Sequence, residues 1–279
     1  MTVQSFLHRH VLSGGLDSAT VVIDECSFLG VSILNFLATL LSNPKIRFIN
    51  LGCFDQLPPC ADIWAGQLIE RNNFQFSRLL HKMSSGNCIK LTKCRRSSQV
   101  LFDAFNTYLP RGNLAHLDIQ SMVAHAKQIF PRQKRNARYN ICISHQARRH
   151  INAICWRAAV KTKTLDVSMP SEYIQQIYPG MPLVGNATEK GIVNSAFYEV
   201  EDWDEKIHIR DLETGETIQV APENMCLCRI GFCCTYWAIQ GRTLTEFTRL
   251  WESNHRNFSA VHLALGLSRV TCPSLIDIA

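Results

Sequence analysis

Val21-Val22-Ile23-Asp24-Glu25 is the stretch that decides the fold: three apolar β-branched residues closing on two acids. β-Branched side chains favour strands, and a short apolar run suits a buried strand. The apolar stretch Phe28–Leu41 follows, interrupted by Asn35 and Thr39. It is too short to span a membrane, so it reads as a buried helix with its body at Ile33–Leu41. Arg47–Leu51 is a second strand, ended by Gly52 and a polar loop closing on Pro58 and Pro59. Strand, helix, strand with acids at a strand end predicts a parallel α/β sheet. Ligands in such sheets sit at the carboxyl ends of the strands.

Working outward, Ala61–Met83 reads as helical, and Ser84-Ser85-Gly86 marks a domain boundary. The first domain is then 1–85 and the second 86–279. Ile89–Thr92 restarts strand character, and Val100–Tyr108 is an amphipathic helix stopped by Pro110 and Gly112. Tyr139–Ser144 is a buried strand with the helix Ala147–Val160 behind it. From Pro179 the texture changes to short strands at Met181–Val184, Gly191–Val193, Phe197–Val200, Lys206–Asp211 and Glu216–Val220. Thr214-Gly215 is a hairpin turn. This pattern predicts a small β-barrel over 179–225, inserted into the second α/β domain. Arg229–Tyr236 returns to one buried strand, and Ser259–Leu267 is a helix running into Ser268 and Arg269.

The chain has 279 residues, 46% of them hydrophobic and 19% charged, which is enough to bury a core. No apolar run reaches a membrane span and the N-terminus lacks a basic-then-apolar signal pattern, so the expectation is an intracellular protein. The twelve cysteines include Cys226 and Cys228, one residue apart, and the adjacent Cys233 and Cys234. Neither spacing matches a zinc site, and most cysteines sit in apolar runs, so they read as buried thiols. The net charge is +6, with positive charge gathered in Arg132–Arg138 and in Arg148, Arg149 and His150. Such runs are either solvated surface or a phosphate-contacting face.

An apolar strand ending in Asp-Glu is a Walker-B pattern. Asp24 would hold Mg²⁺, and Glu25 would polarise the attacking water. Gln56, in the loop Gly52–Pro59 after the next strand, has the reach to bond the γ-phosphate or its water. The two prolines pre-organise that loop.

Together these strings resemble the RecD-like and PIF-type branch of the superfamily-1 DNA helicases. In that branch a GDxxQLPP string follows the Walker-B strand; here Cys53 replaces the Asp. Thr2-Val3-Gln4-Ser5-Phe6 resembles the family's T-[IL]-H-S-F segment. Leu91–Arg96 resembles the string ending in a γ-phosphate-binding Arg, which implies Arg96, with Arg95 as the alternative; the R-x-G that follows is imperfect at Arg111-Gly112. Tyr139–Trp156 resembles a strand-then-helix segment ending in an Asn such as Asn152. Pro179–Val200 resembles the start of an inserted barrel. Thr235–Leu244 (TYWAIQGRTL) resembles the motif T-x-H-x-x-Q-G-x-T. The resemblance implies Thr235 on a DNA phosphate, and Gln240 and Gly241 coupling DNA to nucleotide. Trp237 stands where the family has His; it either stacks on a base or packs in the core. Leu267-Ser268-Arg269 resembles A-L-S-R, implying that Arg269 reaches the γ-phosphate.

The implied architecture is α/β: tandem RecA-like P-loop NTPase lobes, the first incomplete, with a small inserted SH3-like β-barrel. The implied function is an ATP-dependent DNA helicase, 5′→3′ by family, using ATP and Mg²⁺ and tracking single-stranded DNA through Thr235, Trp237, Arg148 and Arg149. These helicases carry G-x-x-x-x-G-K-[ST] before Walker B. The dipeptide Gly-Lys occurs nowhere in this chain, and Gly14-Gly15 lacks the Lys. The expectation is a fragment, a split gene whose neighbouring frame supplies the P-loop, or a decayed copy, with an exposed sheet edge around residues 1–60. The alternative function is a non-catalytic single-stranded nucleic-acid-binding module.

Overall fold

The computed structural model describes residues 3–13, 16–59, 62–64, 66–68, 74–109 and 112–279. Thr2, Gly14, Gly15 and Arg111 lie outside the described residues. The chain separates into two compact units, Met1–Cys94 and Arg95–Ala279.

In the first unit, β1 (Ala19–Ile23) pairs in parallel with β2 (Ile46–Asn50). Helix α1 (Val31–Ala38) joins them and ends in a 3₁₀ turn at Thr39–Ser42. The parallel strand–helix–strand unit is as the sequence predicts. Val21, Ile23, Ile46 and Phe48 pack with Leu34 and Leu37 of α1. The helix is less buried than its composition predicts: Phe36 is 52% exposed.

The predicted helix over Ala61–Met83 is a correction. Ile63–Trp64 and Gln67–Leu68 form a small antiparallel ladder, and among the described residues of this stretch only α2 (Arg78–Met83) is α-helical. Ser77 caps that helix, its hydroxyl accepting the Leu80 N–H at 3.3 Å. A Ser N-cap starts a helix where the chain would otherwise run on, which a count of apolar residues misses. Ile89–Thr92 is a second correction. It takes no regular structure, and Ile89 and Leu91 are 87% and 85% exposed. This exposed stretch lies near the end of the first unit, Met1–Cys94.

The second unit is built on a parallel sheet of β3 (Tyr139–Cys142), β9 (Cys233–Thr235), β10 (Thr248–Leu250) and β11 (Ile276–Ile278), in the order β9-β3-β10-β11. Helices α3 (Gln99–Tyr108), α4 (Ile119–Ile129), α5 (His145–Ala158) and α6 (Ala260–Ser268) accompany it. Sequence reading missed α4, whose Asp118 cap takes the Gln120 and Ser121 N–H groups at 2.9 and 3.0 Å.

A five-stranded antiparallel sheet interrupts this unit. Its strands are β4 (Pro182–Gly185), β5 (Phe197–Trp203), β6 (Ile207–Asp211), β7 (Thr217–Val220) and β8 (Cys228–Ile230), in the order β7-β6-β5-β4-β8. Gly215 (φ 76°) closes the predicted hairpin. Gly191–Val193 forms no strand; Ile192 contributes a single bridge to Glu189. The predicted single strand over Arg229–Tyr236 is two strands in two sheets, β8 and β9. Gly231 lies between them. A Cβ there would meet the Pro182 carbonyl carbon at 3.0 Å and the Leu183 backbone at 3.1 Å, so the crossing passes tight against β4. The Asn152 side chain ties the crossing from α5: its Nδ2 donates to Ile230 C=O at 3.0 Å, and its Oδ1 accepts the Cys233 N–H at 2.7 Å.

Candidate functional site

In the first unit the chemistry gathers at the carboxyl ends of β1 and β2. Cys26 N–H donates to Leu51 C=O, and Leu51 N–H to Ile23 C=O, both at 2.8 Å. These bonds extend the ladder past the strands and hold the Asp24–Ser27 turn against the Gly52 loop. A Cβ at Gly52 would lie 3.0 Å from both Cys26 Sγ and Ser27 N, so the loop needs a glycine there. Glu25 adopts φ 51°, a left-handed conformation uncommon for a residue with a Cβ. Strain of that kind clusters at functional sites. Asp24 is exposed, and its Oδ1 accepts the Glu25 N–H at 2.9 Å. Gln56 Nε2 reaches Glu25 Oε2 at 3.5 Å. Three residues predicted from two separate motifs, Asp24 and Glu25 from one and Gln56 from the other, therefore meet.

The donor set suits a hard divalent cation. An exposed carboxylate at a strand end is the minimal protein contribution to Mg²⁺, which keeps most of its coordination for water and phosphate oxygens. Among the described residues no group of three or more His, Cys, Asp or Glu side chains is arranged to hold a metal by itself.

In the second unit Thr235 ends β9, buried, and leads into the 3₁₀ turn Tyr236–Ile239. Gly241 takes φ 75°, letting the chain reverse after Gln240. The string around Gln240 then meets the one around Arg269: Leu244 N–H donates to Arg269 C=O at 2.7 Å, and Arg269 Nη1 approaches Arg242 C=O at 3.5 Å. Arg269 is only 2% exposed, with Nε and Nη2 on Ser268 Oγ at 3.0 and 2.9 Å. Arg96, by contrast, is exposed, as is Arg95.

Trp237 is half-buried, its ring edge-on to His262 at 5.6 Å. His262 also stacks on Phe258 at 5.8 Å and meets Tyr236 edge-on at 5.1 Å. Burial lowers the His262 pKa to about 4, so the ring is neutral near neutral pH. Its Nδ1 pairs with Ser259 Oγ at 2.8 Å. Sequence reading missed His262, which spacing alone does not connect to Trp237. Gly266, where the resemblance expects Ala, faces Leu250 so closely that a Cβ would stand 2.8 Å from both Leu250 methyls.

The basic clusters divide. Arg148 is a correction: it is 3% exposed and forms a buried ion pair with Glu172 (6% exposed). Its helical spacing to Ile151 and Asn152 turns it inward, onto Glu172. Burial pushes the Glu172 carboxyl up, and the Arg148 charge opposes that rise. Arg149 stays half-buried, its guanidinium 5.1 Å from the Tyr173 ring centre. In the run Arg132–Arg138, Arg132 lies over Trp251 at 5.1 Å, and Arg138 pairs with Glu199 at 2.6 Å. The cysteines are mixed: Cys142, Cys228, Cys233 and Cys234 are buried, whereas Cys88 and Cys226 are exposed.

No family model and no curated protein sequence matches the chain. Solved structures do. A Bacteroides Pif1 bound to single-stranded DNA superposes with TM-score 0.64 at 16% identity, covering 93% of this chain and 70% of that one. Pif1 helicase from Candida albicans gives TM-score 0.66 at 13% identity, covering 99% and 76%. The chain has the Pif1 helicase fold. A Bacteroides Pif1 in complex with ADP-AlF3 and single-stranded DNA agrees, with TM-score 0.64 at 17% identity over 92% of this chain and 69% of that one. At these identities the likeness speaks for the fold. The mixed α/β fold with parallel sheets matches that of the Pif1 structures. No helix among the described residues is long and apolar enough to cross a membrane.

Proposed function

We propose that this chain is the part of an ATP-dependent, single-stranded-DNA-translocating helicase that follows the phosphate loop. The observation that carries the reading is the meeting of Asp24, Glu25 and Gln56 at the carboxyl ends of two parallel strands, with Glu25 in a left-handed conformation. A plain nucleic-acid binder has no use for that arrangement. Bound Mg²⁺ and ATP would supply the phosphoryl group and neutralise charge as it transfers. Asp24 would hold the cation, Glu25 would polarise the attacking water, and Gln56, beside Glu25, would bond the γ-phosphate or that water. Arg96 and Arg269 are the candidate arginine fingers; such groups contribute roughly 10³–10⁵ in rate. Thr235, Trp237 and Arg149 face the strand, with Gln240 and Gly241 linking strand to nucleotide. Solved Pif1 proteins bound to single-stranded DNA and to ADP-AlF3 support both ligands for this fold. The antiparallel sheet is read as an SH3-like insert over 179–225 within a second lobe, 86–279, that follows a first lobe, 1–85. The direction is 5′→3′ by resemblance, and the setting is intracellular.

A second reading, a non-catalytic single-stranded DNA-binding module, is favoured by one observation: the sequence contains no Gly-Lys dipeptide. ATP hydrolysis with and without single-stranded DNA, with Glu25→Gln and Arg269→Ala as controls, separates the two. DNA-stimulated hydrolysis lost in both variants supports a motor. DNA binding that weakens with salt, ignores Arg269→Ala and comes with no hydrolysis supports the module.

A further inference from the structure

The basic run Arg132–Arg138 has no part in the strand path through Thr235, yet buried charges pin its backbone. Arg249 (7% exposed) and Asp277 (0% exposed) form a two-bond ion pair, Nε to Oδ1 and Nη2 to Oδ2, both at 2.8 Å. The same Nη2 donates to Gln133 C=O at 2.7 Å and to Arg135 C=O at 3.1 Å. Asp277 Oδ2 also accepts the Gln133 N–H at 2.7 Å. A buried ion pair adds little net stability over apolar packing, so what this pair secures is the shape of the loop. Arg132, Lys134 and Arg135 are left exposed on it, and the exposed Lys127 of α4 lines the same cavity of about 280 Å³ as Arg132. Among the described residues no carboxylate pairs with any of these four. Nearby acids are engaged elsewhere: Asp277 holds Arg249, and Glu252 takes the Ile143 and Ser144 N–H groups and the Ser144 hydroxyl, all at 2.8 Å. Arg138 differs, because Glu199 holds it at 2.6 Å.

We propose that Arg132, Lys134 and Arg135, joined by Lys127, contact the phosphate backbone of duplex nucleic acid. The strip follows β10 from Trp251, under Arg132, to Phe247, whose ring centre lies 3.7 Å from the Arg135 guanidinium. Four residues of strand span about 13 Å, the axial length of about four nucleotides along one strand of a duplex. Arg132 and Arg135 cover the ring faces turned toward the strip. Those faces therefore offer no platform for an unstacked base, on which single-strand binding relies. A duplex turns its bases inward and presents phosphates, the groups that exposed arginines and a lysine recognise. Position also separates this surface from the strand path. Thr235 ends β9 at one edge of the sheet and Asp277 lies in β11 at the other, about 14 Å away at ordinary strand spacing. The choice of nucleic acid among polyanions rests on the strand-binding reading above; the surface itself rests on the charge geometry.

The test measures binding of the full chain by fluorescence anisotropy to a blunt duplex of about twenty base pairs and to a single strand of the same length, with inorganic triphosphate as competitor. In the triple variant Arg132→Gln, Lys134→Gln and Arg135→Gln three phosphate contacts are lost, so the slope of log duplex affinity against log salt falls by about 2.7. Between about 50 and about 200 mM salt, wild-type duplex affinity therefore drops about fortyfold more than the variant's. Single-strand affinity of the variant stays within about threefold of wild type. Lys134→Gln alone, at an exposed position, lowers the duplex slope by about 0.9 and leaves urea unfolding unchanged. Arg138→Gln removes an equal charge from the same run and leaves the slope unchanged, because Glu199 already holds that guanidinium. An unchanged slope in the triple variant overturns the proposal. So does an equal loss in Arg138→Gln, which reflects net charge alone. An equal loss on the single strand, or displacement of duplex by triphosphate at matched phosphate concentration, also overturns it. Thr235→Ala keeps the two readings apart. Duplex bound through the strip, with no single strand bound, sinks the strand path and leaves this surface standing. Single-strand binding that Thr235→Ala weakens and the triple variant does not, with no duplex bound, does the reverse.

Discussion

His262 gives the sharpest quantitative expectation, because one buried ring supports the residue that stands where the family motif has its histidine. The ring is 5% exposed and surrounded by Tyr236, Trp237 and Phe258. Burial lowers its pKa from 6.5 to about 4. Its Nε2 is buried with no hydrogen-bond partner among the described residues, so a proton there has nothing to donate to. The folded ring binds its proton more weakly than the unfolded one. Stability is therefore complete above 6.5 and falls as pH drops from there toward about 4. The shift corresponds to about 3 kcal/mol once pH is below both values, and to about 2 kcal/mol near pH 5. The assay is urea unfolding followed by tryptophan fluorescence at several pH values, wild type against His262→Phe. The phenylalanine keeps a ring in the cluster and cannot titrate. Wild type should lose about 2 kcal/mol more than the variant between near pH 8 and near pH 5. Parallel pH profiles, or a His262 resonance titrating near its ordinary value, would refute the reasoning.

Arg148→Ala strands the Glu172 carboxylate in the interior and is expected to cost about 3–5 kcal/mol by urea unfolding, with the salt dependence of DNA binding unchanged. Gly52→Ala forces a Cβ to 3.0 Å from Cys26 Sγ and Ser27 N, costing about 1–3 kcal/mol and separating Gln56 from Glu25. That variant should lower the unfolding midpoint of the first unit and leave the second unit's unchanged. Asn152→Leu unpairs Ile230 C=O and the Cys233 N–H, a loss of at least about 2 kcal/mol, and should speed amide exchange across residues 228–235.

Much of this was legible in the chain order because local rules and the final structure agree. Val21–Ile23 and Ile46–Asn50 are strands by composition and strands in the structure, and the acids and Gln56 end up together because motif loops at neighbouring strand ends have nowhere else to go. Legibility failed where a cap or a sheet switch decides. Ser77 and Asp118 each start a helix by accepting backbone N–H groups, a signal that apolar periodicity does not register. The run Arg229–Tyr236 is apolar from Ile230 through Cys234 with no charged residue to interrupt it, so its hydropathy alone does not divide it at Gly231 between two sheets.

What the amino-acid sequence determined by itself is the chemistry on offer: a strand ending in Asp24-Glu25, a Gln loop stiffened by prolines, and the Thr235–Leu244 and Leu267–Arg269 strings. These depend on neighbours along the chain. What only the tertiary structure decided is which charged groups are available. Arg148 and Arg149 are adjacent in sequence, yet helix geometry turns Arg148 onto Glu172 in the interior and leaves Arg149 half-exposed on Tyr173. Likewise Val22 and Ile49 are as apolar as Val21 and Phe48, and only the side of the sheet on which α1 packs leaves one pair in solvent and the other in the core. Burial is a property of what lies across a face, and composition along the strand does not contain it.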